Sequence, residues 1–120
     1  MPLRELLTSI LARLDNGYAV MLMGYDCIAI DEVHSGNPGF DVQTMAVEYG
    51  TVLKDIRKTI ELVGAGEMEE ITITTANSLM IVRVLNDEFF AACVLAKDAN
   101  LGKARYLLRA NTLTLIEAVA

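Results

Sequence analysis

Three carboxylates follow closely on one another early in the chain. Asp26, Asp31 and Glu32 stand near the end of a predicted strand pair, and oxygen ligands of this kind can hold Mg²⁺ or Ca²⁺. A metal-dependent enzyme is therefore one hypothesis for this segment. Their spacing is not that of an EF-hand loop, and carboxylates at turns and strand ends most often face water. We favour the solvated interpretation and predict neither a metal site nor a cofactor.

Nucleophilic chemistry has less support. His34 is the single histidine, and nothing in the sequence places it beside Cys27, Cys93 or Ser78, as a nucleophile and its base require. Both cysteines stand in apolar stretches without a CxxC pair, so we expect two buried thiols. No GxxxxGK[ST] phosphate loop occurs. The residues therefore contain no recognisable catalytic machinery.

Positive charge gathers on two predicted helices. One group begins the last helix: Lys97, Lys103, Arg105 and Arg109. The other lies on the long central helix: Lys54, Arg57 and Lys58. Either group could contact an acidic or phosphorylated partner, and either could be a solvated charged face. For the first group we favour the solvated face, and for the second both interpretations stay open.

The composition limits the possible functions. The chain has 120 residues, of which 53% are hydrophobic, and this length fits a single domain over residues 1–120. A small domain has much surface relative to its interior, so the apolar surplus indicates a membrane, a ligand pocket or a protein partner. The net charge of −6 disfavours nucleic acid.

Membrane insertion is the least supported of these three explanations. The longest apolar run, Phe89 to Ala96, is eight residues, whereas a spanning helix needs about 20. No apolar segment near the N-terminus has the form of a secretory signal. We therefore expect a cytoplasmic protein.

The first third of the chain predicts a helix and a hairpin. Apolar residues at helical spacing predict a helix over residues 2–15. Two apolar runs, Tyr18 to Met23 and Cys27 to Ile30, predict strands that are covered on both faces. Gly24-Tyr25-Asp26 between them reads as the hairpin turn. Residues 32–40 are polar and are predicted to form a loop.

A long amphipathic helix is predicted over residues 42–63. Asp41 is a good N-cap, and Gly64-Ala65-Gly66 ends the pattern. One predicted apolar face contains Met45, Tyr49, Val52, Leu53, Ile56, Ile60 and Val63.

Three further strands and a helix complete the pattern. The strands are Ile71 to Thr74, Leu79 to Leu85 and Phe89 to Leu95, and a last helix runs from Asn100 to the end. The order α-β-β-α-β-β-β-α predicts an α/β (α+β) fold, with a five-stranded antiparallel sheet and helices on both faces. The first of the three strands alternates apolar and polar residues, which suits an edge open to another strand.

Two segments resemble the roadblock/dynein light chain family. Ala19 to Ile30 (AVMLMGYDCIAI) is similar to its opening hairpin, and Asn100 to Arg109 (NLGKARYLLR) to its last helix. The element order agrees across the chain and implies a roadblock-type, profilin-like domain, with the bacterial MglB-like proteins as the most similar branch. Cys27 is a departure, because members often carry glycine after the turn aspartate.

The resemblance implies a homodimer that joins third strands and packs second helices. Carried onto this chain, the dimer interface is Ile71, Thr72, Ile73, Thr74 and Thr75 with Met45, Tyr49, Val52 and Ile56. It also implies a platform for a Ras-like small GTPase, whose GTP hydrolysis MglB-like members stimulate without an arginine finger. No motif marks the GTPase-facing side, and the candidates there are Tyr49, Lys54, Arg57 and Lys58.

The leading hypothesis is thus a non-catalytic homodimeric regulator or scaffold for a Ras-like small GTPase. The alternative is a small-molecule-sensing α/β domain without a GTPase partner, because domains of this size can enclose a small apolar pocket.

Overall fold

The predicted order of elements is confirmed. A computed structural model describes residues 2–120. The elements are α1 (Leu3–Arg13), β1 (Gly17–Gly24), β2 (Ala29–His34), α2 (Val42–Val63), β3 (Glu70–Thr74), β4 (Ser78–Val84), β5 (Phe89–Ala96), α3 (Leu101–Ala110) and α4 (Thr112–Val119). In the order of elements only the last predicted helix differs, because it is divided in two.

The five strands form one antiparallel sheet in the order β2-β1-β5-β4-β3. The central strands β1 and β5 are buried on both faces, as their continuous apolar sequences predict. Helices α1, α3 and α4 cover one face, where Leu7, Ile10 and Leu107 are buried. Helix α2 covers the other face, where Leu53 lies in a cluster with Phe90. The molecule is therefore a three-layer arrangement with α2 alone on its side.

The ends of α2 are set by the residues that the sequence indicates. The Asp41 carboxylate accepts hydrogen bonds from the backbone N–H groups of Gln43 and Thr44, and Gly64 ends the helix with a left-handed φ of 68°. Although α2 has 22 residues, within residues 2–120 no helix has both the length and the apolarity needed to cross a membrane.

The prediction for β2 is wrong at both ends. The strand begins at Ala29 and continues to His34, so the predicted loop starts later. Cys27 belongs to the hairpin turn, with φ of 67° and a backbone N–H that donates to the Gly24 carbonyl. The strand is also an exposed edge and is not covered on both faces. Apolar residue type alone misled here, because the turn uses the apolar positions Cys27 and Ile28.

The last helix is interrupted at Asn111. The amide of Asn111 donates to the Leu107 carbonyl at 2.8 Å, and the hydroxyl of Thr112 donates to the Leu108 carbonyl at 2.8 Å. Such side-chain bonds compete with the helical backbone pattern and bend it. Beyond this interruption, Leu115 of α4 is fully buried in the core on the α1 side.

Candidate functional site

The acidic segment does not assemble a metal site. Asp31 forms an ion pair with Arg4 of α1, whereas Glu32 binds Gln43 of α2 on the other side of the sheet. Neighbouring residues of a strand point to opposite faces, which separates these two carboxylates, and Asp26 bonds within its own turn. Among residues 2–120 no group of three His, Cys, Asp or Glu side chains could hold a metal.

The thiols have different surroundings. Cys93 is completely buried, as expected, and burial raises the pKa of its thiol to about 12. The expectation of a buried thiol is wrong for Cys27, which is half-buried because it lies in the turn.

The cations at the start of α3 contact oxygens of this same chain. The pairs are Lys97 Nζ with Thr75 O (2.9 Å), Lys103 Nζ with Asp15 Oδ2 (3.6 Å), Arg105 Nε with Glu70 Oε2 (2.8 Å) and Arg109 Nε with Glu70 Oε1 (4.0 Å). The predicted solvated face is therefore only part of the outcome: Lys97 and Arg109 are exposed, but all four cations also pair within the chain. Two arginines of α3 meet at Glu70, the first residue of β3.

The β3 strand is an edge, as predicted, and three of its five residues direct their backbone groups away from the sheet. At its two ends, Val84 N–H donates to Glu69 O (2.9 Å) and Thr75 N–H donates to Ser78 O (3.0 Å). Antiparallel partners alternate between hydrogen-bonded and non-hydrogen-bonded pairs, so the odd-numbered residues bond to β4. The residues whose N–H and C=O groups point outward are Glu70, Thr72 and Thr74.

The side chains of β3 leave this edge open to another strand. Ile71 and Ile73 are half-buried on the α2 side, while Thr72 and Thr74 are exposed on the other face. The register with β4 is regular from Glu70 to Thr74.

The opposite edge, β2, is obstructed. Its register with β1 shifts at Leu22/Met23, and it carries Asp31, Glu32 and His34. A bulge and charges are the usual protection of an edge strand. Of the two edges, β3 is therefore the one suited to pairing.

A flank of α2 exposes apolar side chains. Leu53 is 1% exposed and packs on the sheet, but its neighbour Val52 is 51% exposed and Ile56 is 36% exposed. The predicted single face is therefore too wide: Leu53 belongs to the core, and Val52 and Ile56 belong to a flank. Met45 and Tyr49 continue this flank towards the start of the helix and are half-buried.

The α2 flank and β3 adjoin each other at two places. Met45 and Tyr49 line an open, mainly apolar groove of about 340 Å³ together with Phe40 and with Thr75 and Ser78 of the β3–β4 connection. Further along the helix, Ile60 and Ile71 line another surface depression. We call the outward edge of β3 with Met45, Tyr49, Val52 and Ile56 the β3–α2 surface.

The groove includes one residue that the sequence analysis missed. Phe40 lies in the loop before α2. It is the single aromatic residue of a polar segment, and this was the sequence feature that could have indicated its role in the groove. At the groove rim, hydrogen bonds from Thr44, chiefly from its backbone N–H, lower the pKa of the Asp41 carboxyl. The groove therefore has mainly apolar walls, and the carboxylate at its rim already accepts the N-cap hydrogen bonds of α2.

The three cations of α2 do not lie together with this surface. Lys54 and Lys58 are exposed and stand two residues beyond Val52 and Ile56, or about 200° around the helix. The guanidinium of Arg57 makes contacts within the chain: it donates hydrogen bonds to both the carbonyl and the carboxylate of Asp87, each at 2.9 Å. Lys54 and Lys58 are thus the cations of this helix that a partner could reach.

Comparison with known proteins identifies the fold. The chain superposes on MglC from Myxococcus xanthus with a TM-score of 0.69 at 27% identity, over 96% of this chain and 97% of that one. It superposes on the Roadblock/LC7 domain from Streptomyces avermitilis with a TM-score of 0.83 at 12% identity, over 99% and 98%. An MglB structure with tetrameric arrangement gives a TM-score of 0.85 at 14% identity, over 97% and 86%.

No protein-family model matches the chain, and no curated protein matches it. The structural neighbours are nevertheless Roadblock/LC7 domain proteins, MglB and MglC, so this chain has the Roadblock/LC7 fold. The resemblance to this family in the sequence is confirmed at the level of the fold.

Proposed function

We propose that this protein is a non-catalytic homodimeric regulator or scaffold for a Ras-like small GTPase, with stimulation of GTP hydrolysis as one form of that regulation. The proposal treats residues 1–120 as one roadblock-type domain. The observation that carries it is the continuity between the open β3 edge and the exposed α2 flank, because together they offer backbone hydrogen bonds and apolar area on one surface.

Self-association follows from the chemistry of the β3–α2 surface. Unpaired N–H and C=O groups on a regular edge favour strand pairing, and the exposed Val52 and Ile56 side chains gain free energy when they leave water. The α2 part of the surface consists of Met, Tyr, Val and Ile side chains, whose burial favours contact between two copies. The MglB structure with tetrameric arrangement supports this proposal, because it has the same fold.

Light scattering tests the homodimer. We expect a mass of twice 13.1 kDa at micromolar concentration. Val52→Glu places a charge in the surface and is expected to give the monomer. Val47→Glu is the matched control, since Val47 is also exposed (43%) but lies about 140° away around the helix. A wild-type monomer, or equal dimer loss in both variants, would contradict the homodimer through this surface.

The GTPase partner rests on the family resemblance and on the similarity to MglB and MglC. A Ras-like GTPase encoded in the same gene neighbourhood is the partner to test, by its GTP hydrolysis rate and by direct binding to this protein. We expect the double variant Lys54→Glu with Lys58→Glu to weaken this binding several-fold. Arg13→Glu on α1, which also replaces an exposed cation, should leave it unchanged. If this protein binds neither the GDP form nor the GTP form of the GTPase, the GTPase assignment is contradicted but the dimer is not.

Small-molecule sensing is the second candidate, and the groove of about 340 Å³ beside Tyr49 favours it. A ligand in this groove would raise the melting temperature of the protein in a metabolite panel. Tyr49→Ala would abolish that rise. No shift across the panel would count against sensing.

A further inference from the structure

We propose a definite register for the self-association: two β3 strands pair antiparallel with Thr72 of one copy directly opposite Thr72 of the other. This inference rests on the proposed homodimer and specifies its contact. In this register Glu70 of each copy lies opposite Thr74 of the second copy. The two-fold axis then passes through the pair of Thr72 residues.

The backbone limits the possible registers to a few. Only Glu70, Thr72 and Thr74 direct their N–H and C=O groups away from β4, as the alternation of the β3–β4 bonds requires. A symmetric antiparallel pair can therefore be centred on residue 71, 72 or 73. Centring on Thr72 satisfies the outward groups of all three residues. Centring on Ile71 would place Thr74 opposite a residue that lies outside β3, and centring on Ile73 would do so for Glu70.

The apolar side chains favour the same register. With Thr72 on the axis, Ile71 lies opposite Ile73 of the second copy, and Ile73 lies opposite Ile71. These are non-hydrogen-bonded positions, where facing side chains approach most closely. Centring on Ile71 would instead place Ile73 opposite Glu69, and centring on Ile73 would place Ile71 opposite Thr75. Only one register joins all four isoleucines, and it joins them on the face that α2 covers.

The charged side chains on the other face agree. Glu70 is held by Arg105 Nε at 2.8 Å, and Arg105 also reaches the Thr72 hydroxyl at 3.5 Å. With Thr72 on the axis, the two Glu70 residues are offset by four residues, or about 14 Å along the strands. Centring on Ile71 would bring these like charges to about 7 Å along the strands. Each Glu70 therefore keeps its own arginine and stays apart from its equivalent.

Thiol crosslinking tests the register. Cysteine is introduced singly as Thr72→Cys or Thr74→Cys in a Cys27→Gly background, since Cys93 is buried and does not react. A short bismaleimide is added to the folded protein. We expect most of the Thr72→Cys protein to be captured as a covalent dimer, because the two positions face each other. Thr74→Cys, separated from its equivalent by about 14 Å along the strands, should give about a tenth of that yield.

The controls separate this inference from the proposed function. Circular dichroism verifies that each variant is folded, and light scattering before crosslinking verifies its mass. A monomer would overturn the homodimer itself. A dimer in which Thr74→Cys crosslinks as well as Thr72→Cys, or in which neither crosslinks, would overturn the register and leave the homodimer standing.

Discussion

The guanidinium of Arg57 lies over the ring of Tyr25, with its Cζ atom 4.5 Å from the ring centre. The same guanidinium holds Asp87 in the β4–β5 turn, and the Tyr25 ring packs on Phe90 with the ring centres 5.2 Å apart. Burial raises the pKa of the Tyr25 hydroxyl, and the positive charge of Arg57 opposes that rise. One side chain of α2 therefore fastens the helix to two neighbouring turns of the sheet.

Removal of this contact should loosen α2. We expect Arg57→Gln to lower the free energy of unfolding by about 1–2 kcal/mol, because it loses a cation–π contact and hydrogen bonds to a charged group. Lys54→Gln, three residues away and exposed, should change it by less than about 0.5 kcal/mol. Urea unfolding measures both. Equal effects in the two variants would show that the Arg57 contacts do not stabilise the fold.

A second contact beneath α2 predicts coupling between a glycine and a cysteine. A Cβ atom added to Gly50 would stand 3.2 Å from Cys27 Sγ, which is a tight contact. At a helix position with free space, replacing glycine by alanine stabilises the protein by about 1 kcal/mol. We expect Gly50→Ala to give less than this gain in the natural chain and the full gain in a Cys27→Gly background.

Cys27→Gly alone should stabilise the protein, because glycine adopts the φ of 67° at this position without strain. Urea unfolding of the two single variants and the double variant completes the cycle. If the alanine gain is the same in both backgrounds, the approach between α2 and the turn is not a constraint.

Proline at two adjacent positions should distinguish the two sides of β3. Thr72→Pro removes an outward N–H and should abolish the dimer while the monomer stays folded, because proline is tolerated where an edge N–H faces outward. Ile73→Pro removes a bond to β4 and should destabilise the monomer itself. Light scattering and thermal unfolding of both variants check this difference. A folded dimer of Thr72→Pro would place the contact elsewhere.

Alkaline pH should weaken the fold through Cys93. The folded chain raises the pKa of this thiol from 9.0 to about 12, so the thiol ionises first in the unfolded chain. The contribution of the protonated Cys93 thiol to the free energy of unfolding is fully present below pH 9 and is lost as the pH rises towards 12. We expect this group to lower the free energy of unfolding by up to about 1.4 kcal/mol per pH unit in that range.

Cys93→Ala provides the comparison for this titration. It lacks the thiol, so its unfolding free energy should fall less steeply with pH, although the cavity it creates lowers stability at every pH. Urea unfolding between pH 8 and 10.5 gives both slopes. Parallel curves would mean that Cys93 does not contribute.

Strong local patterns made most of the fold predictable from the sequence. The Ile-Thr alternation of residues 71–74 indicated an edge strand, and Asp41 and Gly64 marked the ends of α2, because these signals depend only on neighbouring residues. The apolar residues Cys27 and Ile28 indicated a strand but form a turn. Their placement depends on hydrogen bonds to Gly24 and Asp26 that residue type does not reveal.

The candidate site was less predictable, because it depends on which side of a helix meets the sheet. Helical spacing grouped Val52 with Leu53, yet only the packing of α2 separates an exposed flank from the core. The same packing turns Arg57 towards Tyr25 and leaves Lys54 outside. These distinctions come from contacts between residues distant in the sequence, which a local pattern cannot contain.

The irregular pairing of β2 with β1 has a consequence for how far assembly can grow. A sheet with two equally accessible borders would recruit copy after copy and lengthen into a ribbon, as in amyloid-like aggregation. Here one border carries a register shift and charged residues, while the other is regular. Joining two molecules through β3 leaves only obstructed borders outside, so the pair is closed and polymerisation stops at its first step.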